Sequence, residues 1–224
     1  MKRYVYTPNA ETEMNFVVYT PDEPKENLPL ITYLHGAGER GKNYENLFRH
    51  GVARLMNEGK EIDAVVLCPQ CPANRVWDNV MDDLKAIIDA TVEKYAVDKS
   101  RIYLTGSSMG GFGTWMAGLT FPNFFAAIAP VAGGGMSWRA AKLRTTPVFA
   151  YHGDKDDCVP LIYSQLMTDV LRANGGTVEL CVLEDYGHCD GIAYAYENTD
   201  ILEKLLNCRR TNFDRVSEIC EEMF

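Results

Sequence analysis

Two serines stand side by side among glycines in the stretch Leu104-Thr-Gly-Ser-Ser-Met-Gly-Gly111, directly after the apolar run RIYL. Only Ser108 lies at the centre of a Gly-x-Ser-x-Gly pattern, between Gly106 and Gly110; Ser107 lacks that flanking. On a tight strand-to-helix turn a serine takes up a strained backbone, and the glycines let neighbouring main chain approach where a Cβ would collide. The chemistry such an exposed hydroxyl performs is attack on a carbonyl carbon. A free hydroxyl is a weak nucleophile, so a histidine base must reach it, and a carboxylate must orient that histidine.

Of the four histidines, His188 in EDYGHCDG is the candidate base, placed in a loop after the last predicted strand and before the last predicted helix. Loops at the carboxyl ends of parallel strands are where such sheets build their sites. His35 and His152 each precede a glycine at a strand end and are read as holding loop main chain. His50, in a helical pattern near Leu47 and Arg54, is read as a surface or packing residue. The orienting acid should leave the strand before, where HGDKDDCVP offers Asp154, Asp156 and Asp157. Asp154 suits the capping of loop amides and Asp157 stands where the next helix begins, which leaves Asp156 preferred.

These residues need a frame that holds strand ends together. Apolar strand-like runs at 28–36, 63–70, 101–106, 125–133, 146–154 and 177–185 alternate with helix-like stretches, the sign of an α/β fold: a mainly parallel sheet with helices on both faces. In the stretch from Val80 to Val97, Met81, Leu84, Ile87, Ile88, Thr91, Val92 and Tyr95 recur at three and four and make one apolar face. Residues 4–20 read as antiparallel edge strands joined near Asn9 and Ala10. Residues 28–208 carry the alternation, and 209–224 form a tail with helical character. The whole of 1–224 is expected to be one domain, with no room for a large lid between APVAGG and TPVFAYHG.

Composition narrows the function classes. A net charge of -9 with scattered Lys and Arg argues against a nucleic-acid partner, and no apolar run is long enough to span a membrane. The N-terminal residues lack a signal-peptide core, so the expected location is cytoplasmic, or secreted if a leader has been removed. Seven dispersed cysteines suit a reducing compartment, and the isolated CPQC at 68–71 lacks the partners a zinc site needs. No metal and no cofactor are expected.

Ser108, Asp156 and His188 stand in the chain order of the α/β-hydrolases. With YLHGAGERG at 33–41, PQCP followed by Trp77, GSSMGG, HGDKDDCVP and YGH, the sequence resembles that superfamily over nearly its whole length. More narrowly it resembles the small serine carboxylesterases, the acyl thioesterases and the dienelactone-hydrolase-like esterases. The resemblance assigns the acid to Asp156, the Asp of HG-x-x-D-x-x-V-P, although Asp157 stands where many relatives carry proline. It places an oxyanion hole at the main-chain N–H groups of Ala37 and Met109. Dienelactone hydrolases proper use cysteine as nucleophile, and the serine here argues against that activity.

The expected reaction is hydrolysis of carboxylic esters through an acyl-enzyme on Ser108, on small or carbohydrate-linked substrates with short or aryl acyl groups. Thioester and peptide hydrolysis are the alternatives, and a non-catalytic binding protein is the alternative of another class. Trp77 and Trp138, in loops at the site-facing strand ends, are candidates to line the pocket. Arg40 and Glu39 in GERG are candidates for contact with a polar substrate, against the reading of a solvated loop pair.

Overall fold

The computed structural model describes residues 1–8, 12–23 and 25–211. The turn expected around Asn9 and Ala10, and nearly all of the C-terminal tail, lie outside the described residues. The elements run β1 (Lys2–Tyr6), β2 (Phe16–Thr20), β3 (Leu30–Leu34), α1 (Gly51–Asn57), β4 (Val65–Pro69), α2 (Met81–Lys94) and β5 (Ile102–Ser107). Then follow α3 (Met109–Thr120), β6 (Ala127–Val131), β7 (Val148–Gly153), α4 (Ile162–Ala173), β8 (Val178–Leu183), α5 (His188–Asn198) and α6 (Ile201–Leu206). Between β6 and β7 there is only a short 3-10 segment, Ser137–Leu143, so no large lid covers the strand ends.

The strands form one sheet in the order β1-β2-β4-β3-β5-β6-β7-β8. β2 is antiparallel to both of its neighbours and every other pairing is parallel. Side chains alternate across it: in β3, Leu30 and Leu34 enter the core beneath α2, α3 and α4, while Ile31 and Tyr33 enter the core beneath α1, α5 and α6. The apolar stripe of α2 is buried from Met81 to Val92, and Tyr95 is half-buried, as its spacing requires. At one edge β1 shows Lys2 and Arg3 to solvent; at the other, β8 carries an exposed Glu179 ion-paired to Lys204 at 2.5 Å.

Three expectations about helices change. The helix anticipated over Tyr44–Gly59 divides into a 3-10 segment, Tyr44–Arg49, and α1. The division falls at Gly51, which adopts φ +58 and lies so close to Tyr33 that a Cβ would stand 2.2 Å from its hydroxyl. The last helix divides at Thr199 and Asp200 into α5 and α6. His188 is the first residue of α5 rather than part of a loop, because the extended backbone of Gly187 starts the helix one turn earlier than the apolar pattern suggests.

Two close contacts position the strand ends. At the β5–α3 turn Ser108 has φ 56 and ψ -121, a conformation that costs about 1–3 kcal/mol for a residue other than glycine. The turn is held against the exit of β3 with no side chain between: a Cβ on Gly110 would lie 1.9 Å from the Leu34 carbonyl oxygen, and one on Gly106 would lie 2.7 Å from it. The exit of β3 is in turn locked by His35, which is fully buried. Its Nε2 accepts the Cys71 N–H at 2.9 Å, so Nδ1 carries the proton and donates to the Gly36 carbonyl at 2.6 Å. The Trp77 indole donates to the His35 carbonyl at 3.0 Å, and Gln70 donates to the carbonyls of Glu39 and Asn43 at 2.8 and 2.7 Å.

Two predictions follow from these contacts. Gly110→Ala should lose about 3 kcal/mol in urea denaturation, whereas Gly38→Ala, whose added Cβ meets nothing within 4 Å, should change stability by less than about 0.5 kcal/mol. Equal losses would contradict the close-approach account. Burial lowers the pKa of His35 from 6.5 to about 4. An unfolded chain therefore takes up a proton here below pH 6.5 while the folded chain resists it, and the histidine's contribution is complete above pH 6.5 and lost as pH falls to about 4. The decline it causes is about 3 kcal/mol. His35→Gln should be less stable at pH 7 yet fall less steeply between pH 7 and pH 4, measured by urea midpoints; parallel declines would refute the linkage.

Candidate active site

Three strand exits meet at the carboxyl end of the parallel sheet. β5 delivers Ser108 on its strained turn, β7 leads to Asp156, and β8 leads to His188 at the start of α5. Ser108 Oγ lies 2.9 Å from His188 Nε2, and His188 Nδ1 lies 2.7 Å from Asp156 Oδ2. An ionised carboxylate only accepts, so Nδ1 carries the imidazole proton and Nε2 is the acceptor that faces the serine hydroxyl.

The acid is held from all sides. Asp156 Oδ1 accepts the N–H groups of Cys158 and Val159 at 3.0 and 2.8 Å, and its side chain has no exposed surface. A second buried imidazole, His152, stands 3.3 Å from Asp156 Oδ2 and bonds the Val159 carbonyl through Nε2 at 2.7 Å. Burial pushes the His152 pKa below its ordinary value, so this imidazole is neutral near pH 7 and braces the acid loop as a hydrogen-bond donor. The neighbouring acids take other positions: Asp154 accepts the Asp185 N–H at 2.7 Å, and Asp157 is exposed.

Ala37 and Met109 each open a helical segment, Ala37–Glu39 and α3, and the first N–H of a helix has no carbonyl of its own helix to bond. The two segments meet at Ser108, because a Cβ on Gly36 would stand 3.6 Å from Ser108 Cβ. The starts of both segments thus adjoin Ser108.

Two recesses lie on either side of Ser108. One, of about 290 Å³, is bounded by Gly36–Glu39, His50, Ser107, His188, Cys189 and Ile192. The other, of about 390 Å³, is bounded by Val76, Asp78, Met109, Phe112 and Val159. A hollow of about 310 Å³ between β1 and the end of α2 holds none of these groups.

Of the substrate-contact expectations, those for Trp138 and Arg40 need correction. Trp77 borders the second recess, and although it is fully buried, its packing against Gly113 and its bond to His35 make it a support of the β3 exit as well. Trp138 is 77% exposed on the Ser137–Leu143 segment and borders neither recess. Arg40 donates to the carbonyls of Ala37 and Arg75 at 3.0 and 3.3 Å, so its guanidinium ties two loops together instead of facing the cleft.

Sequence reasoning read His50 as a surface or packing residue and Ser107 as a small residue on the turn, and considered Glu39 only beside Arg40. Glu39 is 4% exposed, and burial raises its carboxyl pKa against the opposing pull of His50 and Arg49. Its Oε1 lies 3.8 Å from His50 Nε2, and Ser107 Oγ is 3.0 Å from the buried Tyr33 hydroxyl. No local pattern marks these residues, since the recess forms only when the β3 and β5 exits and the start of α1 come together.

The sequence matches the phospholipase/carboxylesterase family over residues 63–192, more than half of the chain. It is 33% identical over 145 residues to a bifunctional acetylxylan esterase/xylanase of Neocallimastix patriciarum, a match covering 62% of this chain and 21% of that protein. It is 31% identical over 130 residues to poly(3-hydroxyalkanoate) depolymerase C of Paucimonas lemoignei, covering 52% of this chain and 30% of that one. The chain therefore spans less than a third of the length of either relative. Among solved structures it resembles a thermostable esterase with a TM-score of 0.79 and 27% identity, over 93% of this chain and 63% of the other. With the sheet order, the turn at Ser108 and the family match in agreement, the chain belongs to the phospholipase/carboxylesterase family of the α/β-hydrolases.

Proposed function

We propose that the chain hydrolyses carboxylic esters through an acyl-enzyme on Ser108. The observation that carries this reading is the unbroken line from Ser108 Oγ through His188 to Asp156, at 2.9 and 2.7 Å, on a serine whose strained backbone aims it at the histidine. His188 Nε2 takes the hydroxyl proton as Oγ attacks the carbonyl carbon. The N–H groups of Ala37 and Met109 hold the oxygen as it becomes negative. His188 then gives the proton to the leaving alcohol as the C–O bond breaks, and a water deprotonated by the same nitrogen releases the acid. Asp156 keeps the imidazole in the required tautomer and stabilises its charged form.

Short or aryl acyl groups carried on a larger alcohol, such as a carbohydrate, are the substrates we favour. The absence of a lid between β6 and β7 supports this, as does the similarity to a protein named for acetylxylan ester cleavage. In this reading residues 1–224 act as one unit. None of the helices among the described residues is long and apolar enough to cross a membrane.

The test is hydrolysis of p-nitrophenyl acetate and butyrate, a feruloyl ester and an acyl thioester, with covalent labelling by a fluorophosphonate. Ser108→Ala should lose at least about 10⁴-fold in kcat, and Asp156→Asn a similar factor with little change in KM. Peptide mass spectrometry should find the label on Ser108. A wild-type rate in Ser108→Ala, or a label on Ser107, would reject the proposal.

A further inference from the structure

The carboxylate of Glu39 has no role in the chemistry proposed above, yet it is buried at the rim of that chemistry. A point one bond above Gly36 Cα lies 3.3 Å from Glu39 Oε2 and 3.6 Å from Ser108 Cβ, so the carboxylate and the nucleophile face each other across a glycine. Among the described residues, the ionisable nitrogens that face the Glu39 carboxylate belong to two imidazoles, each 3.8 Å from one of its oxygens. One of these, His35 Nδ1, already donates its proton to the Gly36 carbonyl. The other belongs to His50, whose side chain is 55% exposed at the mouth of the recess. A carboxylate buried to this degree ordinarily has its lone pairs matched by donors, and here the open side is the recess beside Ser108.

The position of His188 decides which half of an ester this recess takes. The histidine must hand its proton to the leaving oxygen, so the alcohol lies on its side of Ser108. His188 borders the recess that holds Glu39 and His50 and does not border the apolar one with Val76, Phe112 and Val159. The acyl group accordingly occupies the apolar recess and the alcohol the polar one. A cationic alcohol would call for aromatic faces around its charge. This recess offers instead a carboxylate and an imidazole, an acceptor and a donor matched to neutral hydroxyl groups.

We infer that Glu39 and His50 bind the alcohol half of the ester, and that this alcohol carries free hydroxyls close to the ester oxygen, as a polyol or a sugar ring does. This assignment rests on the acyl-enzyme reading and adds to it the residues that hold the leaving group. By microscopic reversibility the same recess must receive an alcohol that attacks the acyl-enzyme. In that step the alcohol oxygen bonds to the acyl carbon and its proton passes to His188. The bond from carbon to Ser108 Oγ breaks, and His188 returns the proton to Ser108.

The experiment uses that reverse step. Acetyl-enzyme formed from p-nitrophenyl acetate is offered glycerol, 1-propanol or choline at equal concentration, and the acetate esters are measured against free acetate. The wild type should transfer acetyl to glycerol at least about tenfold more than to 1-propanol, after allowing for the number of hydroxyls. Glu39→Gln should cut that ratio severalfold, Glu39→Ala should remove most of it, and His50→Ala should lower it. The ratio is insensitive to how much enzyme is active, so a smaller folded fraction of a variant leaves it unmoved. A ratio near one in the wild type, a ratio unchanged in both Glu39 variants, or a Glu39-dependent preference for choline would overturn the inference. Intact mass separates the two levels. No acetyl adduct on Ser108 overturns the acyl-enzyme reading and this one with it, while an adduct that partitions without preference overturns only the alcohol assignment.

Discussion

The bare contact between the β5–α3 turn and the end of β3 governs the rest of this molecule. Main chain meets main chain there, since Gly106 and Gly110 leave no room for a Cβ beside the Leu34 carbonyl. That approach brings the start of α3 and the Ala37–Glu39 turn to the two sides of Gly36 and Ser108. It also compels Ser108 into its unfavourable backbone angles, and the cost is carried by the parallel strands on both sides, which leave the turn no alternative path.

A second constraint is electrostatic. Of the imidazoles near the site, His35 and His152 are kept uncharged near pH 7 by burial, against the opposing pull of the main-chain carbonyls they bond. His188 alone joins a carboxylate to the serine. The division of labour follows from partners: a carbonyl fixes the proton of a structural histidine, whereas the carboxylate of Asp156 leaves the far nitrogen of His188 free to accept. Asp156 itself stays in a polar nest because two N–H groups fill one oxygen and the imidazole fills the other.

Much of this was readable from the chain, for reasons that are local. Strand–helix alternation, the glycine spacing around Ser108 and the aspartates at the β7 exit are imposed by neighbours in sequence, so they leave a pattern. The reading of His35 and His152 as holders of loop main chain agrees with their bonds to Gly36, Cys71 and Val159. What escaped was set by residues distant in sequence. Trp77 was read from its place after a strand and does border the second recess, but its burial against Gly113 and its bond to His35 could not be read from that place. Arg40 looked available for a substrate until the carbonyl of Arg75 came within its reach. Glu39 and His50 belong to different loops and acquire a shared surface only through folding. The break at Gly51 likewise answers to Tyr33, a partner that helical periodicity cannot register.

The two borders of the sheet have a consequence for how copies of this chain behave toward one another. A strand with one free side is a template on which another chain can add a strand, and long parallel sheets are exposed to this during folding. Among the described residues the outermost strands carry charge beside exposed apolar groups: Lys2 and Arg3 next to Tyr4 and Val5 on β1, and Glu179 with Lys204 on the strand that also shows Val182. An incoming strand would have to strip water from these groups before pairing, which discourages sheet-to-sheet growth. The charges at the margins, remote from Ser108, thereby protect the solubility of a molecule whose chemistry depends on a long buried sheet.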